Sequence, residues 1–161
     1  MKHIINVLVE NEFGVLSRIA SLFSGRGFNI ESLTVAETDD STISSMTIVT
    51  QGDDHIIEQI TKQLNKLINV IKVVELVESV QIAREMVLLK FALNNGAKRL
   101  ELLHLVEVYQ GRVLELGPRS LVVEITGERA KVETALEVFT PFGIKEISRT
   151  GMVALARDCV K

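Results

Sequence analysis

Apolar residues take alternate positions at Ile5, Val7 and Val9, and a period of two places all three on one face of a strand from His3 to Glu10. The period then changes. Val15, Ile19, Leu22 and Phe23 stand at i, i+4, i+7 and i+8, which predicts a helix from Val15 to Ser24, stopped by Gly25 and Gly27. Two runs rich in Val, Ile and Thr, Leu33 to Thr38 and Thr42 to Thr50, read as strands joined by the turn residues Asp39-Asp40-Ser41. Gly52 closes the pair. Asp53 or Asp54 caps a second helix with Ile57, Ile60, Leu64 and Leu67 along one stripe, and Val70 to Val77 returns as a strand. The order is βαββαβ.

The second half repeats that order with different residues. An apolar strand from Met86 to Leu93 and a turn at Asn94-Asn95-Gly96 lead into a helix from Lys98 to Tyr109 that buries Leu102, Leu105 and Val106. Gly111 ends it, and strands at Arg112 to Leu116 and Ser120 to Thr126 are joined at Gly117-Pro118. A helix from Glu128 to Phe139, with Val132, Leu136 and Phe139 inward, stops near Pro141 and Gly143 before a last strand at Ile144 to Ser148. The boundary falls between Val77 and Arg84, dividing the chain into 1–78 and 79–161. Each half is near the lower end of what folds alone, so the halves are expected to pack on each other or on a second copy. Strand Thr42 to Thr50 supports a second copy: Ile43 and Val49 lie opposite Met46 and Ile48, and only one of those faces can meet the unit's own helices. The other is left for a partner, or for partial exposure on a loosely alternating strand.

Composition narrows the class. Hydrophobic residues are 47% and charged residues 24% of the 161, with two prolines, so a core is expected throughout. The net charge of −3, with basic residues scattered, supplies no stripe for phosphates or an anionic membrane, and nucleic acid is not an expected partner. No apolar run approaches the roughly twenty residues that span a bilayer, and the opening MKHIINVLVENE turns acidic where a signal peptide would be apolar, which points to the cytoplasm. Cys159 is the only cysteine, and His3, His55 and His104 have no metal-ligand spacing, so no metal site is expected.

The βαββαβ order is shared by RNA-binding RRM domains, acylphosphatases, ferredoxin-like modules and ACT domains, so the residues have to discriminate. Thr42 to Thr50 carries no aromatic residue on which a base would stack, which disfavours RNA. Asn11-Glu12-Phe13-Gly14 lacks the arginine and the glycine density of an acylphosphatase cradle. Gly25-Arg26-Gly27 ends a helix instead of opening one, so it is a C-cap and no dinucleotide fingerprint. Asp39-Asp40 and Asp53-Asp54 are a turn and a helix start, and no catalytic constellation stands out. What does stand out is the run from Asn11 to Leu16, with Gly14 at the first helical turn. Free amides and the positive dipole end suit a carboxylate, and glycine lets it approach the backbone. Side-chain oxygens of Asn11 and Asn29 are acceptors for an ammonium, and Val15, Leu16 and Ile30 can line a small apolar pocket. The competing reading is that Asn11 and Gly14 only cap and turn the chain.

The block Asn6 to Asp40, NVLVENEFGVLSRIASLFSGRGFNIESLTVAETDD, closely resembles the opening of bacterial acetolactate synthase small subunits. It carries Glu10-Asn11 before Gly14, then Leu16-Ser17-Arg18, Arg26-Gly27 and Asn29-Ile30-Glu31-Ser32-Leu33. The resemblance continues through Met46-Thr47-Ile48, Gln59 to Leu67, Arg84-Glu85, Leu89-Lys90 and Arg149-Thr150-Gly151. Thr126 to Arg129 shows no family-specific feature. The resemblance implies an α+β fold of two ferredoxin-like βαββαβ domains, with an effector-binding ACT domain at 1–78 and, at 79–161, the second domain typical of that family. It further implies a non-catalytic dimer, joined through its ACT domains, that binds the large catalytic subunit, raises its activity and confers feedback inhibition by valine. Thiamine diphosphate, Mg and FAD are then expected in that partner and none in this chain. The implied effector site pairs the loop Asn11 to Leu16 with Asn29-Ile30, the two sides coming from two protomers. Gly14, Ser17, Ala36 and Gln59 match positions associated with the valine response. A stand-alone amino-acid-sensing ACT protein remains the alternative.

Overall fold

The computed structural model of the chain describes residues 1–76, 81–93 and 96–157. Val77, Asn94, Asn95, Cys159 and the division at 78/79 lie outside those residues. Two compact units are formed, one by Met1–Ile82 together with the described residues from Met152 onward, the other by Ala83–Gly151.

In the first unit the elements are β1 (Lys2–Glu10), α1 (Val15–Gly25), β2 (Ile30–Glu37), β3 (Ile43–Gln51), α2 (Asp54–Leu64) and β4 (Val70–Leu76). The sheet order is β2-β3-β1-β4, with β1 paired antiparallel to both neighbours. Ile5, Val7 and Val9 of β1 share a buried cluster with Met46 and Ile48 of β3, Val15, Ile19 and Phe23 of α1, and Ile57, Ile60 and Leu64 of α2. Alternation on the strands and the 3.6-residue period of the helices thus meet in one core. Asp53 is the cap of α2: its carboxylate accepts the Ile56 amide at 2.8 Å. At the end of α1, Gly27 takes φ +72°, which lets the Phe28 amide reach the Phe23 carbonyl at 2.9 Å.

The second unit repeats the pattern with β5 (Gln81–Ala92), α3 (Gly96–Val108), β6 (Arg112–Leu116), β7 (Ser120–Gly127), α4 (Arg129–Phe139), a 3-10 turn at Thr140–Phe142 and β8 (Ile144–Ala156). Its sheet order is β6-β7-β5-β8. Val87, Leu89 and Phe91 of β5 face Leu102 and Val106 of α3 and Val132, Ala135 and Phe139 of α4 in a second core. Leu105 and Leu136, expected inward, are half-buried, and Ala135 joins Val132 and Phe139 as a fully buried residue of α4. Gln110 adopts the left-handed turn after α3 at φ 54°. Gly111 is needed there for space, because a Cβ would lie 2.4 Å from Ile125 Cδ1.

Three strands are longer than their hydrophobic pattern. β2 begins at Ile30, β5 at Gln81, and β8 runs to Ala156. Arg84-Glu85 and Arg149-Thr150 interrupt the apolar alternation of β5 and β8, yet the two interruptions answer each other: Glu85, 6% exposed, is paired with Arg149. A polar pair inside a strand ladder conceals the strand from a pattern that tracks only apolar residues.

The far end of β8 corrects a second expectation. Val49 and Thr47, on the sheet face away from α1 and α2, are buried within the single chain, with Ile4 beside them. Part of that cover comes from the first unit's own late residues, Met152 and Ala154, which are 7% and 2% exposed. The Met152 amide donates to Ser32 Oγ on β2 at 3.1 Å, and Asn6 Nδ2 on β1 donates to the Ala154 carbonyl at 3.2 Å. Since β3 lies between β2 and β1, this segment crosses the strands instead of extending an edge. A second copy is therefore not required to bury Val49. Ala154→Glu should destabilise the protein by about 3 kcal/mol or more by burying an unpaired charge. Val153→Glu, at a half-exposed position, should change stability by no more than about 0.5 kcal/mol. Urea unfolding midpoints of the two variants check the difference.

Candidate functional site

The loop between β1 and α1 is built by three constraints. Asn11 is tied to the β2–β3 hairpin: its amide donates to the Thr42 carbonyl at 2.7 Å, and its Nδ2 to the Ser41 carbonyl at 2.9 Å and Glu37 Oε1 at 3.2 Å. That hairpin is itself held by Asp40, whose carboxylate accepts from Thr42 Oγ1 at 2.7 Å and from the Thr42 amide at 2.9 Å. These two bonds, the side-chain one first, hold the Asp40 carboxyl below its ordinary range. The support they give is complete above the ordinary carboxylate range and is lost as pH falls below that range and through the lowered value of the folded protein. Gly14 then turns the chain at φ +83° and is the N-cap of α1, with no side-chain cap bond.

The consequence is a bare helix N-terminus. The Val15 amide reaches the Glu12 carbonyl at 3.3 Å, while among the described residues the amides of Phe13, Gly14, Leu16 and Ser17 meet no backbone acceptor. Unpaired amides at the positive end of a helix form an anion-binding rim, and a Cβ at Gly14 would meet nothing within 4 Å, so the approach is open. Asn11 uses its donors on the hairpin and keeps Oδ1 for an incoming donor. Around the rim Phe13 is fully exposed and Leu16 is 41% exposed.

Not every candidate residue faces this rim. Val15, read as a pocket wall, has its side chain in the core at 4% exposure, because it is the first inward position of α1 and packs with Ile19 and Phe23. Ser17 is exposed in the first turn of α1. Ala36 is exposed on β2, opposite Ser45, at the same end of the sheet as the loop. Gln59 is exposed on α2, where its amide meets His55 Nε2 at 3.0 Å.

Asn29 and Ile30 lie elsewhere. Ile30 is level with Thr50 and His3, and the Asn29 carbonyl accepts from Thr50 Oγ1 at 2.6 Å. The rim adjoins Glu10, which is level with Ile43. The seven steps of β1 from His3 to Glu10 separate the two places by roughly 24 Å. One chain does not bring Asn11-Gly14-Leu16 together with Asn29-Ile30. A shallow open groove of about 590 Å³ at the C-terminal ends of α1 and α2, lined by Leu22, Arg26, Gln63 and Lys66 among others, contains none of these residues.

One cluster beside the rim escaped the sequence reading. Asn69, 7% exposed, donates through Nδ2 to Glu10 Oε2 at 2.7 Å and to Glu12 Oε2 at 3.2 Å, and accepts from Arg18 Nη1. Its carbonyl accepts the Glu10 amide at 2.9 Å. An asparagine just before a strand reads as turn chemistry, and nothing local in Leu67-Ile68-Asn69-Val70 signals that it reaches back 59 residues to Glu10.

Comparison with known proteins decides the family. Residues 5–72 match the AHAS small subunit-like ACT domain, and residues 84–158 match the small subunit of acetolactate synthase. The chain is 50% identical over 155 residues to the acetolactate synthase small subunit of Mycobacterium bovis, covering 96% of this chain and 92% of that protein. The chain belongs to the acetolactate synthase small-subunit family. The small subunit of Aquifex aeolicus is 45% identical over 157 residues, covering 98% of this chain and 82% of that one. The crystal structure of the acetolactate synthase small subunit from Thermotoga maritima superposes with a TM-score of 0.91 at 38% identity, covering 98% of both chains. In this member of the family the rim, Asn29-Ile30 and Asn69 all belong to the ACT unit. Among the described residues no three His, Cys, Asp or Glu side chains are grouped to hold a metal ion. No helix there is long and apolar enough to cross a membrane.

Proposed function

We propose that the chain is the regulatory partner of an acetolactate synthase large subunit, raising its activity and making it sensitive to valine. The observation that carries this reading is the uncapped N-terminus of α1, with Gly14 at φ +83° and Asn11 Oδ1 beside it, in a chain of the small-subunit family. The free amides take the effector's carboxylate, Asn11 its ammonium, and exposed Leu16 part of a branched side chain. Asn29 and Ile30 complete the pocket from a second copy, since their own chain holds them at the far end of its sheet. Homodimerisation through the ACT units is thus part of the proposal.

Valine bound across two copies stabilises one arrangement of the ACT pair over another, and that preference is passed to the large subunit. A coupling of about 1–3 kcal/mol is typical for such linkage. Thiamine diphosphate, Mg and FAD belong to the large subunit, and this chain contributes binding and conformational bias, not a chemical step. The test is calorimetric titration of the purified chain with valine, threonine and glutamate. Valine alone should bind, with about one site per pairing of a rim with an Asn29-Ile30 edge. Equal heats for all three, or none for valine, would overturn the proposal.

A further inference from the structure

The rim that accepts a carboxylate has two carboxylates of its own beside it. Glu10 ends β1, and Glu12 lies within the loop, its carbonyl 3.3 Å from the Val15 amide. Glu12 stands four residues before Leu16 and five before Ser17, near enough in the chain for its carboxylate to turn toward their unpaired amides. A glutamate that did so would cap α1 in place of an incoming anion. The structure shows what prevents it: Asn69 Nδ2 holds Glu12 Oε2 at 3.2 Å and Glu10 Oε2 at 2.7 Å. Asn69 is buried, and its Oδ1 is fixed by Arg18 Nη1, which orients the amide so that both Nδ2 hydrogens face the glutamates.

We propose that Asn69 is a positioning residue that keeps the effector rim vacant by withholding the Glu12 carboxylate from the α1 amides. This rests on the valine-binding role given to that rim. Arg18 alone does not suffice, because it reaches the carboxylates only through Asn69 in the bonds around this residue. An amide suits this role because its Nδ2 hydrogens serve both carboxylates while its Oδ1 is held by Arg18.

The test uses Asn69→Ala, Glu12→Gln and the double variant in the full chain. Two readouts are followed, amide NMR shifts of Gly14, Leu16 and Ser17 without effector, and valine affinity by calorimetry. In Asn69→Ala the three amide resonances should move downfield as the Glu12 carboxylate docks on them. Valine affinity should fall about tenfold through competition for those amides. Adding Glu12→Gln should return both the shifts and the affinity toward wild type, which a loop that had merely lost its frame would not do. Glu12→Gln alone should bind valine at least as tightly as wild type. Unmoved amides in Asn69→Ala, or a loss of affinity that Glu12→Gln fails to rescue, would overturn the positioning role. If the wild-type chain binds no valine, the effector reading fails separately, while the amide shifts still report whether Asn69 restrains Glu12.

Discussion

Gly14→Asp is expected to abolish the valine response while leaving the chain folded. The position is the N-cap of α1, at φ +83°, and a Cβ there meets nothing within 4 Å. A side chain therefore costs left-handed strain and no collision, about 1 kcal/mol for Gly14→Ala. Asp adds a carboxylate tethered beside the amides of Leu16 and Ser17, which have no backbone partner. It fixes a negative charge at the positive end of α1, and so occupies the place assigned to the effector's carboxylate while repelling it. The attraction of that charge to the helix dipole offsets part of the strain, so melting temperatures of Gly14→Asp and wild type should differ by only a few degrees. The valine dissociation constant, by contrast, should rise about 100-fold or more, against a much smaller change in Gly14→Ala. Calorimetry on the three proteins separates these terms. Unchanged valine affinity in Gly14→Asp would remove the rim from the effector site.

The fold was legible because the core-forming elements of both units obey simple periods, from Ile5, Val7 and Val9 on β1 to Val132 and Phe139 on α4. What the rhythm missed was polar and long-range. Strand β8 continues past Arg149-Thr150-Gly151, where Glu85 supplies a partner from β5 that no local pattern contains. The residues after Gly151 then cover the ACT sheet, so apolar residues on both faces of β3 reflected cover from within the chain as well as from its helices. At the candidate site, Gly14 was legible as a conformational requirement and Asn11 as a polar group at a turn. Val15 was given two roles, first residue of the apolar stripe of α1 and wall of the pocket, and one side chain fills only the first, with Ile19 and Phe23. Asn69 was invisible for a different reason: its meaning comes from Glu10, Glu12 and Arg18, more than fifty residues earlier.

Mixing two inactive chains should restore valine binding. Asn29→Ala removes an exposed side chain, while the Asn29 contact in this structure is made by its carbonyl, which alanine keeps. Its stability should therefore stay within about 0.5 kcal/mol of wild type, and its loss of valine affinity reports the site alone. Gly14→Asp damages the other side of the same proposed pocket. The roughly 24 Å between Ile30 and the Gly14 rim along one sheet means that a pocket using both draws them from different copies. In a mixed dimer one pocket then receives both substitutions, and the other receives the unaltered rim of the Asn29→Ala chain and the unaltered Asn29 of the Gly14→Asp chain. Equal mixing with free exchange makes about half the dimers mixed, each with one intact pocket, so tight valine binding should return at about a quarter of wild-type capacity. Each variant alone should show none at the same valine concentration. If the pocket were contained in one chain, mixing would restore nothing, because no chain in the mixture would carry both an intact rim and an intact Asn29. Calorimetric capacity of the mixture, measured before and after time for the dimers to exchange partners, therefore tests the shared pocket directly. A rise on exchange requires two copies per site, and that requirement is what would let valine bias how the ACT units pair and so reach the large subunit.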